Sequence, residues 1–257
     1  MLDDQGMKFL RRLGNLYLPG SFLRRFLHKL FSFLAPLFLK NEQRIKYYFS
    51  NQKKFVFLKN PLVASQSMHS ILHKNSFLKG FDLTERDRHL LAPLNETCRD
   101  YKVFCFVRNP WSRVVSCYHK KIVNANTANK LLLLSRHPKI KLNFTFNQFV
   151  EFLCSEEGSD FKADEHWVSQ HKLLLEKSGQ PLYDHVGKLE LFPESMESVL
   201  GKVGIASIVG AEIGRSEQMK TKKEHEHYQD YFDDDTWEKI AIRYARDIEL
   251  FGYGHMV

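Results

Sequence analysis

The sequence predicts an α/β fold: a central parallel sheet of about four or five strands with helices on both faces, over residues 51–257, preceded by an N-terminal helical arm over residues 1–50. Three observations carry this. Short strand-like runs stand at 54–58, 103–107 and 183–188, far apart along the chain. The first two stop at an Asn-Pro step, Asn60-Pro61 and Asn109-Pro110. Helical spacing resumes after all three. Strand, loop and helix recurring in this way build a parallel sheet with helical crossovers, and ligands of such sheets gather at the carboxyl ends of the strands.

The arm is rich in Phe and Leu interrupted by Arg and Lys, as in Phe22-Leu23-Arg24-Arg25-Phe26-Leu27-His28-Lys29-Leu30-Phe31. Its uncharged, mostly apolar stretch at residues 30–39 is about half of the roughly 20 apolar residues that a membrane span needs. No small-residue cleavage site follows a clean apolar segment, so a signal peptide is not expected. Two readings of this basic amphipathic segment stay open. It packs on the body of the protein with its cations in solvent, or residues 9–40 lie on an anionic membrane surface. The expected location is cytoplasmic, with peripheral attachment to the inner face of the membrane under the second reading.

The elements then follow in order. Lys54–Leu58 reads as a buried strand ending in a loop, and Ser65–Leu72 as a helix with Met68, Ile71 and Leu72 on one side. Val103–Val107 is a second strand, with a helix from Trp111 to about Val123. Residues 124–142 are less regular and basic, and read as a loop. Asn147–Leu153 and Glu165–Glu176 have helical spacing. Tyr183–Lys188 is the third strand, with a helix from about Pro193 to Val203. Residues 235–251 read as one amphipathic helix: Trp237, Ile240, Ala241, Tyr244 and Ile248 recur at three and four, behind Asp233 or Asp234 as cap.

Composition excludes several classes. Of 257 residues, 43% are hydrophobic, and with 13 Gly the chain falls in the globular range, not the disordered or collagen-like one. Four Cys stand in neither a CxxC nor a zinc spacing, which points to reduced thiols and a reducing compartment. The net charge of +8 suits a polyanionic small ligand, a membrane surface or nucleic acid. The charge is dispersed and no nucleic-acid recognition motif is present, so no nucleic-acid partner is expected. His225-Glu226-His227 places its two His at i, i+2, on different sides of a helix, and no metal site is expected.

The strongest local signal is Arg108-Asn109-Pro110-Trp111-Ser112-Arg113-Val114-Val115-Ser116-Cys117-Tyr118. Arg108 closes a strand, and Ser116 lies two turns into the following helix. A fixed guanidinium with a hydroxyl suits a phosphate group. The competing reading pairs Arg108 with a carboxylate and leaves Ser116 on a helix face. His166 is a candidate general base beside Asp164 and Glu165, with a core imidazole against Trp167 as the other reading. His171 is a weaker base candidate.

This segment resembles the 3′-phosphate-binding motif of sulfotransferases that use 3′-phosphoadenosine 5′-phosphosulfate (PAPS), commonly Arg-Asp-Pro followed by Arg-Leu-Val-Ser-Ala-Tyr. Asp164-Glu165-His166-Trp167-Val168-Ser169-Gln170 is similar to the family's Asp-x-His-Trp-x-x-Gln element. Tyr183-Asp184-His185-Val186-Gly187-Lys188-Leu189-Glu190 is similar to its Tyr-Asp-x-x-Gly-Lys-x-Glu strand, and Tyr244–Tyr253 to its C-terminal pattern. The elements keep family order over roughly residues 54–254 and resemble the carbohydrate-sulfotransferase-like branch, in its compact members without a membrane anchor. The resemblance implies a P-loop-kinase-like three-layer fold. It also implies transfer of a sulfuryl group from PAPS to a hydroxyl of a carbohydrate or glycolipid, without a metal, leaving adenosine 3′,5′-bisphosphate.

By the same resemblance Arg108 and Ser116 would hold the 3′-phosphate. Asn60, Val63, Ala64, Ser65, Gln66 and Ser67 would hold the 5′-phosphosulfate in a loop that presents amides at a helix N-terminus. His166 would accept the acceptor's proton, and Glu190 would tie loops together. Two positions depart from the family loop: Leu62 stands where a Lys belongs and Gln66 where a Thr belongs. Three explanations stay open. Lys59 replaces the missing cation, or Lys222 or Lys223 does, or the protein is a catalytically weak or inactive relative that binds the nucleotide.

Overall fold

The computed structural model describes residues 46–63, 65–79, 82, 84–87, 100–176, 178–192, 194–206 and 227–254, all within a unit spanning Gln43–Val257. Residues 1–45, and with them most of the arm including the segment 9–40 for which membrane contact is one reading, lie outside the described residues, as do Ala64, Lys222, Lys223 and the side chains of Gln66 and Ser67.

Five strands form one sheet: β1 (Lys46–Ser50), β2 (Phe55–Leu58), β3 (Thr84–Asp87), β4 (Lys102–Val107) and β5 (His185–Lys188), in the order β3-β1-β2-β4-β5. β2, β4 and β5 are parallel, with Phe57 opposite Phe104 and Phe106 opposite Gly187. These are the three strands that the sequence shows. β1 runs antiparallel to both β2 and β3, so the sheet is mixed and only its site-bearing half is parallel. Lys46–Ser50, assigned from sequence to the end of the arm, is a strand of this sheet.

Burial on both faces explains the unbroken apolar runs of β2 and β4. Val56, Leu58, Cys105 and Val107 point into one layer. Phe55, Phe57, Phe104 and Phe106 point into the other, against α1 (Ser65–Lys79) and α6 (Glu194–Val203). All eight are almost fully buried, and each such side chain contributes about 1.5–3 kcal/mol relative to exposure. The first layer holds α2 (Pro110–Tyr118), which runs into a π turn (His119–Val123), then α3 (Thr127–Arg136), α4 (Phe146–Cys154), α5 (Gln170–Leu174), α7 (Asp234–Arg243) and α8 (Ala245–Phe251). Gly187 lets β5 meet α6: a Cβ there would stand 2.6 Å from the Phe106 ring and 2.5 Å from Ser195 Oγ. No described helix is long and apolar enough to cross a membrane.

Three elements differ from expectation. Residues 124–142 contain α3, whose start is capped by Asn126 Oδ1 accepting from Asn129 N at 2.9 Å. The expected helix over 165–176 is only α5. Upstream, Asp164 closes a turn by accepting from Trp167 N and Val168 N on its carbonyl and from His166 N on its side chain. The C-terminal helix breaks at Tyr244 into α7 and α8, because the Tyr244 hydroxyl donates to Trp167 O at 2.7 Å. Asp233 caps α7 in a capping box with Thr236, as its sequence position suggests.

Candidate active site

The carboxyl ends of β2, β4 and β5 meet in one polar cluster. Asn109 stops β4 and starts α2: its Oδ1 accepts from Trp111 N (3.0 Å) and Ser112 N (3.2 Å), and Pro110 fits the first turn, where no N–H is needed. Its backbone N–H donates to Glu190 Oε1 (2.6 Å), whose other oxygen accepts from the Tyr253 hydroxyl (3.1 Å). Glu190 thus ties the ends of β4 and β5 to the C-terminal segment.

Arg108 is 3% exposed. Its Nε donates to Ser112 Oγ (3.0 Å), and its Nη1 donates to Ser116 Oγ (2.5 Å) and to Leu62 O (3.2 Å). The fold therefore brings Arg108 and Ser116 together and aims the pair at the loop after β2. Ser116 is turned toward Arg108, which the reading of an outward-facing Ser116 does not describe.

Gln170 is the keystone beneath. Its Oε1 accepts from Asn60 Nδ2 (2.8 Å) and Arg108 N (3.0 Å), while its Nε2 donates to Arg108 O (2.8 Å). Asn60 Nδ2 also donates to Phe106 O (3.0 Å), so this amide faces inward and splices β2 to β4. Asn60 Oδ1 is buried with no hydrogen-bond partner among the described residues. Asp247, fully buried, accepts from Gln170 N (2.6 Å), His171 N (2.8 Å) and His171 Nδ1 (2.7 Å). These contacts commit His171 to the base of α5.

The loop after β2 differs. Leu62 adopts φ 65°, a left-handed conformation that costs a non-glycine residue about 1 kcal/mol or more. Val63 is buried, and Ser65 opens α1. Lys59 is partly exposed, and its N–H donates to Lys46 O (3.0 Å). Arg113, buried, holds the loop to the segment before α5: it donates to Pro61 O (3.4 Å), Val168 O (2.7 Å) and Glu165 O (3.2 Å).

On that segment lies His166. Its Nδ1 stands 2.5 Å from Asp164 Oδ1, an oxygen that also receives Lys121 Nζ at 2.9 Å. A carboxylate only accepts, so the neutral imidazole carries its proton on Nδ1 and leaves Nε2 with a lone pair. Burial lowers the His166 pKa below 6.5; Asp164 opposes this, and Lys121 and Lys120 reinforce it. The direction favours the uncharged imidazole. Burial also lowers the Lys120 ammonium, reinforced by the charges of Lys121 and Lys59, and Lys121 and Lys120 both act on His166. The sequence reading missed Lys120 and Lys121, which lie two and three residues past the recognised motif on the π turn. Helices often depart to π geometry at functional sites, but no sequence pattern announces this π turn. Among the described residues, no group of three His, Cys, Asp or Glu side chains could hold a metal ion.

Comparison with known proteins agrees with this architecture. Residues 39–254 match the sulfotransferase family. Over 175 residues the chain is 26% identical to carbohydrate sulfotransferase 14 of Danio rerio, covering 60% of this chain and 44% of that protein. The chain therefore spans less than half the length of that relative. No solved structure matches.

Proposed function

Because the chain belongs to the sulfotransferase family, we propose that it transfers a sulfuryl group from PAPS to a hydroxyl of a carbohydrate or glycolipid. The observation that carries this is the Arg108–Ser116 pair, 2.5 Å apart at the carboxyl end of β4 and bonded to the loop after β2. A guanidinium and a hydroxyl on one strand–helix junction suit a nucleotide 3′-phosphate. The carbohydrate acceptor is supported by the likeness to carbohydrate sulfotransferase 14.

The residues present fit such a donor on its 3′ side. On the 5′ side, the backbone at 60–63 and the Ser65 hydroxyl would face the phosphosulfate; for Ala64, Gln66 and Ser67 the same role rests on the sequence. Leu62 brings no charge there. When bound, the donor would supply an activated sulfuryl group. His166 Nε2 would take the proton from the acceptor hydroxyl, and the Nδ1–H bond to Asp164 would hold the ring in the right tautomer. Lys59, with Lys120 beside it, would offset the charge that builds on the departing phosphate oxygen. Arg113 would keep the loop and His166 in fixed register.

Sulfate incorporation from labelled PAPS into a panel of oligosaccharides and glycolipids tests this, with His166→Ala alongside. Transfer that the variant loses supports the reading; no transfer to any hydroxyl acceptor contradicts it. The left-handed, uncharged Leu62 favours a second reading, a nucleotide-binding relative with little turnover. Tight binding of adenosine 3′,5′-bisphosphate with no transfer would select it.

A further inference from the structure

Asp164 and Lys121 come from different elements and meet beside His166. Asp164 opens the turn ahead of α5, and Lys121 lies on the π turn after α2. One carboxylate oxygen, Asp164 Oδ1, receives His166 Nδ1 at 2.5 Å, His166 N at 3.0 Å and Lys121 Nζ at 2.9 Å. Both charged partners are shielded, at 17% and 9% exposure. The ammonium also lies 5.9 Å from the Trp167 ring centroid, which fixes its approach. This is a three-membered chain, Lys121–Asp164–His166, ending at the open Nε2.

A carboxylate alone against a buried imidazole would make the imidazolium the favoured form, and a base that is already protonated accepts nothing. Counting charges shows what the third member does. With His166 neutral, the chain sums to zero; with His166 protonated, it is +1 in a buried place. Without Lys121 the same two states are −1 and 0, and burial then favours the protonated one. The other groups around the ring do not replace Lys121. Glu165 Oε1, 3.8 Å from Nδ1 and half-exposed, favours the proton. Lys120 opposes it from the same π turn. His137, buried at the end of α3 against Trp167, has its own pKa lowered by burial and brings no charge at neutral pH. Arg113 is engaged by backbone carbonyls of Pro61, Glu165 and Val168.

We propose that Asp164 and Lys121 are positioning residues for His166: Asp164 fixes the proton on Nδ1, and Lys121 offsets the carboxylate so that Nε2 stays an open acceptor at neutral pH. This rests on the reading of His166 as the base. The burial of Asp164 works against its charge, yet the His166 hydrogen bond and Lys121, joined in acid by the charge of a protonated His166, hold its carboxyl well below the usual carboxylate range. The anchor is therefore ionised throughout the working pH range.

The test is an NMR titration of the His166 imidazole in the full-length protein, assigned with His166→Gln, in wild type, Lys121→Met and Lys121→Arg. Lys121→Met keeps the aliphatic stem and removes the charge. Its imidazole midpoint is expected to rise by about one pH unit or more, and the acid limb of kcat/KM to move with it; Lys121→Arg restores both. An unshifted or lowered midpoint in a folded Lys121→Met overturns the proposal. Should Lys121→Met not fold, Asp164→Asn decides: a lowered midpoint, with kcat reduced and nucleotide affinity kept, supports the chain of three, and an unchanged midpoint overturns it. His166→Ala separates the two claims. If that variant turns over normally, the base reading fails, while the imidazole midpoint still tests the three-residue chain.

Discussion

The ends of β2 and β4 lie side by side in the sheet, and they are built in opposite ways. At the end of β4, Arg108 is buried, its backbone is clamped on both sides by the Gln170 amide, and its side chain is bonded to two serines and a carbonyl. At the end of β2, Leu62 is held in a left-handed conformation with no charge to offer, and the nearby cations come from Lys59 and from Lys120 of another element. One side is rigid and fully hydrogen-bonded. The other carries no charge at Leu62, so any positive charge it uses would come from elsewhere. On the proposed function, nucleotide recognition and chemical rate would be separable: the first would belong to the β4 end, and the second would depend on how cations and His166 serve the β2 loop.

The largest expected effect concerns rate alone. His166→Ala should lower kcat by about 10²–10⁴-fold, the usual contribution of a positioned general base. The dissociation constant of adenosine 3′,5′-bisphosphate, measured by calorimetry, should stay within about threefold of wild type, because Arg108 and Ser116 are untouched. A matching loss of nucleotide affinity would merge the two regions into one.

Next comes the support under the rigid side. Asp247→Ala leaves two buried N–H groups and His171 without their acceptor. It should cost about 3 kcal/mol in denaturant unfolding, and a loss near zero would show that Gln170 is held by other means. Smaller in size is the effect of Leu62→Lys. Returning a cation to the loop should raise kcat about tenfold, roughly 1.4 kcal/mol of barrier. No change would show that Lys59 and Lys120 already supply what the loop lacks.

The smallest effect is a pH dependence of stability. Burial lowers the pKa of both His166 and His137 below 6.5 in the folded state. The unfolded chain then binds more protons as acid is added, so this stability is present above about 6.5 and is lost as pH falls toward the folded values. Urea midpoints should decline from pH 7 to 5.5, and the decline should shrink in His137→Phe. A rise in stability over that window would mean that the imidazoles gain a proton on folding.

Much of the rigid side can be read from the chain. β2 and β4 are apolar runs stopped by Asn-Pro, and the Arg108-to-Ser116 spacing places both groups on one strand–helix junction. β1 and β3 are not readable in the same way. Tyr47, Tyr48 and Phe49 are all buried, so β1 shows no alternation and merges with the Phe-rich arm before it. β3 is Thr84-Glu85-Arg86-Asp87, a charged edge strand with no apolar pattern to detect. The segment around His166 has helical spacing and is not helical, because the Asp164 turn and the Asp247 carboxylate, 77 residues from Gln170, impose a tertiary arrangement on it. Lys120 and Lys121 owe their positions to a π turn, which no hydrophobic period announces.

The most direct measurement is a calorimetric titration of wild type and Arg108→Ala with adenosine 3′,5′-bisphosphate, with AMP as control and circular dichroism to check the fold. Binding that requires the 3′-phosphate and falls by about 100-fold or more in a folded Arg108→Ala protein is the predicted result. Equal affinity for AMP, or affinity unchanged by the substitution, would contradict it.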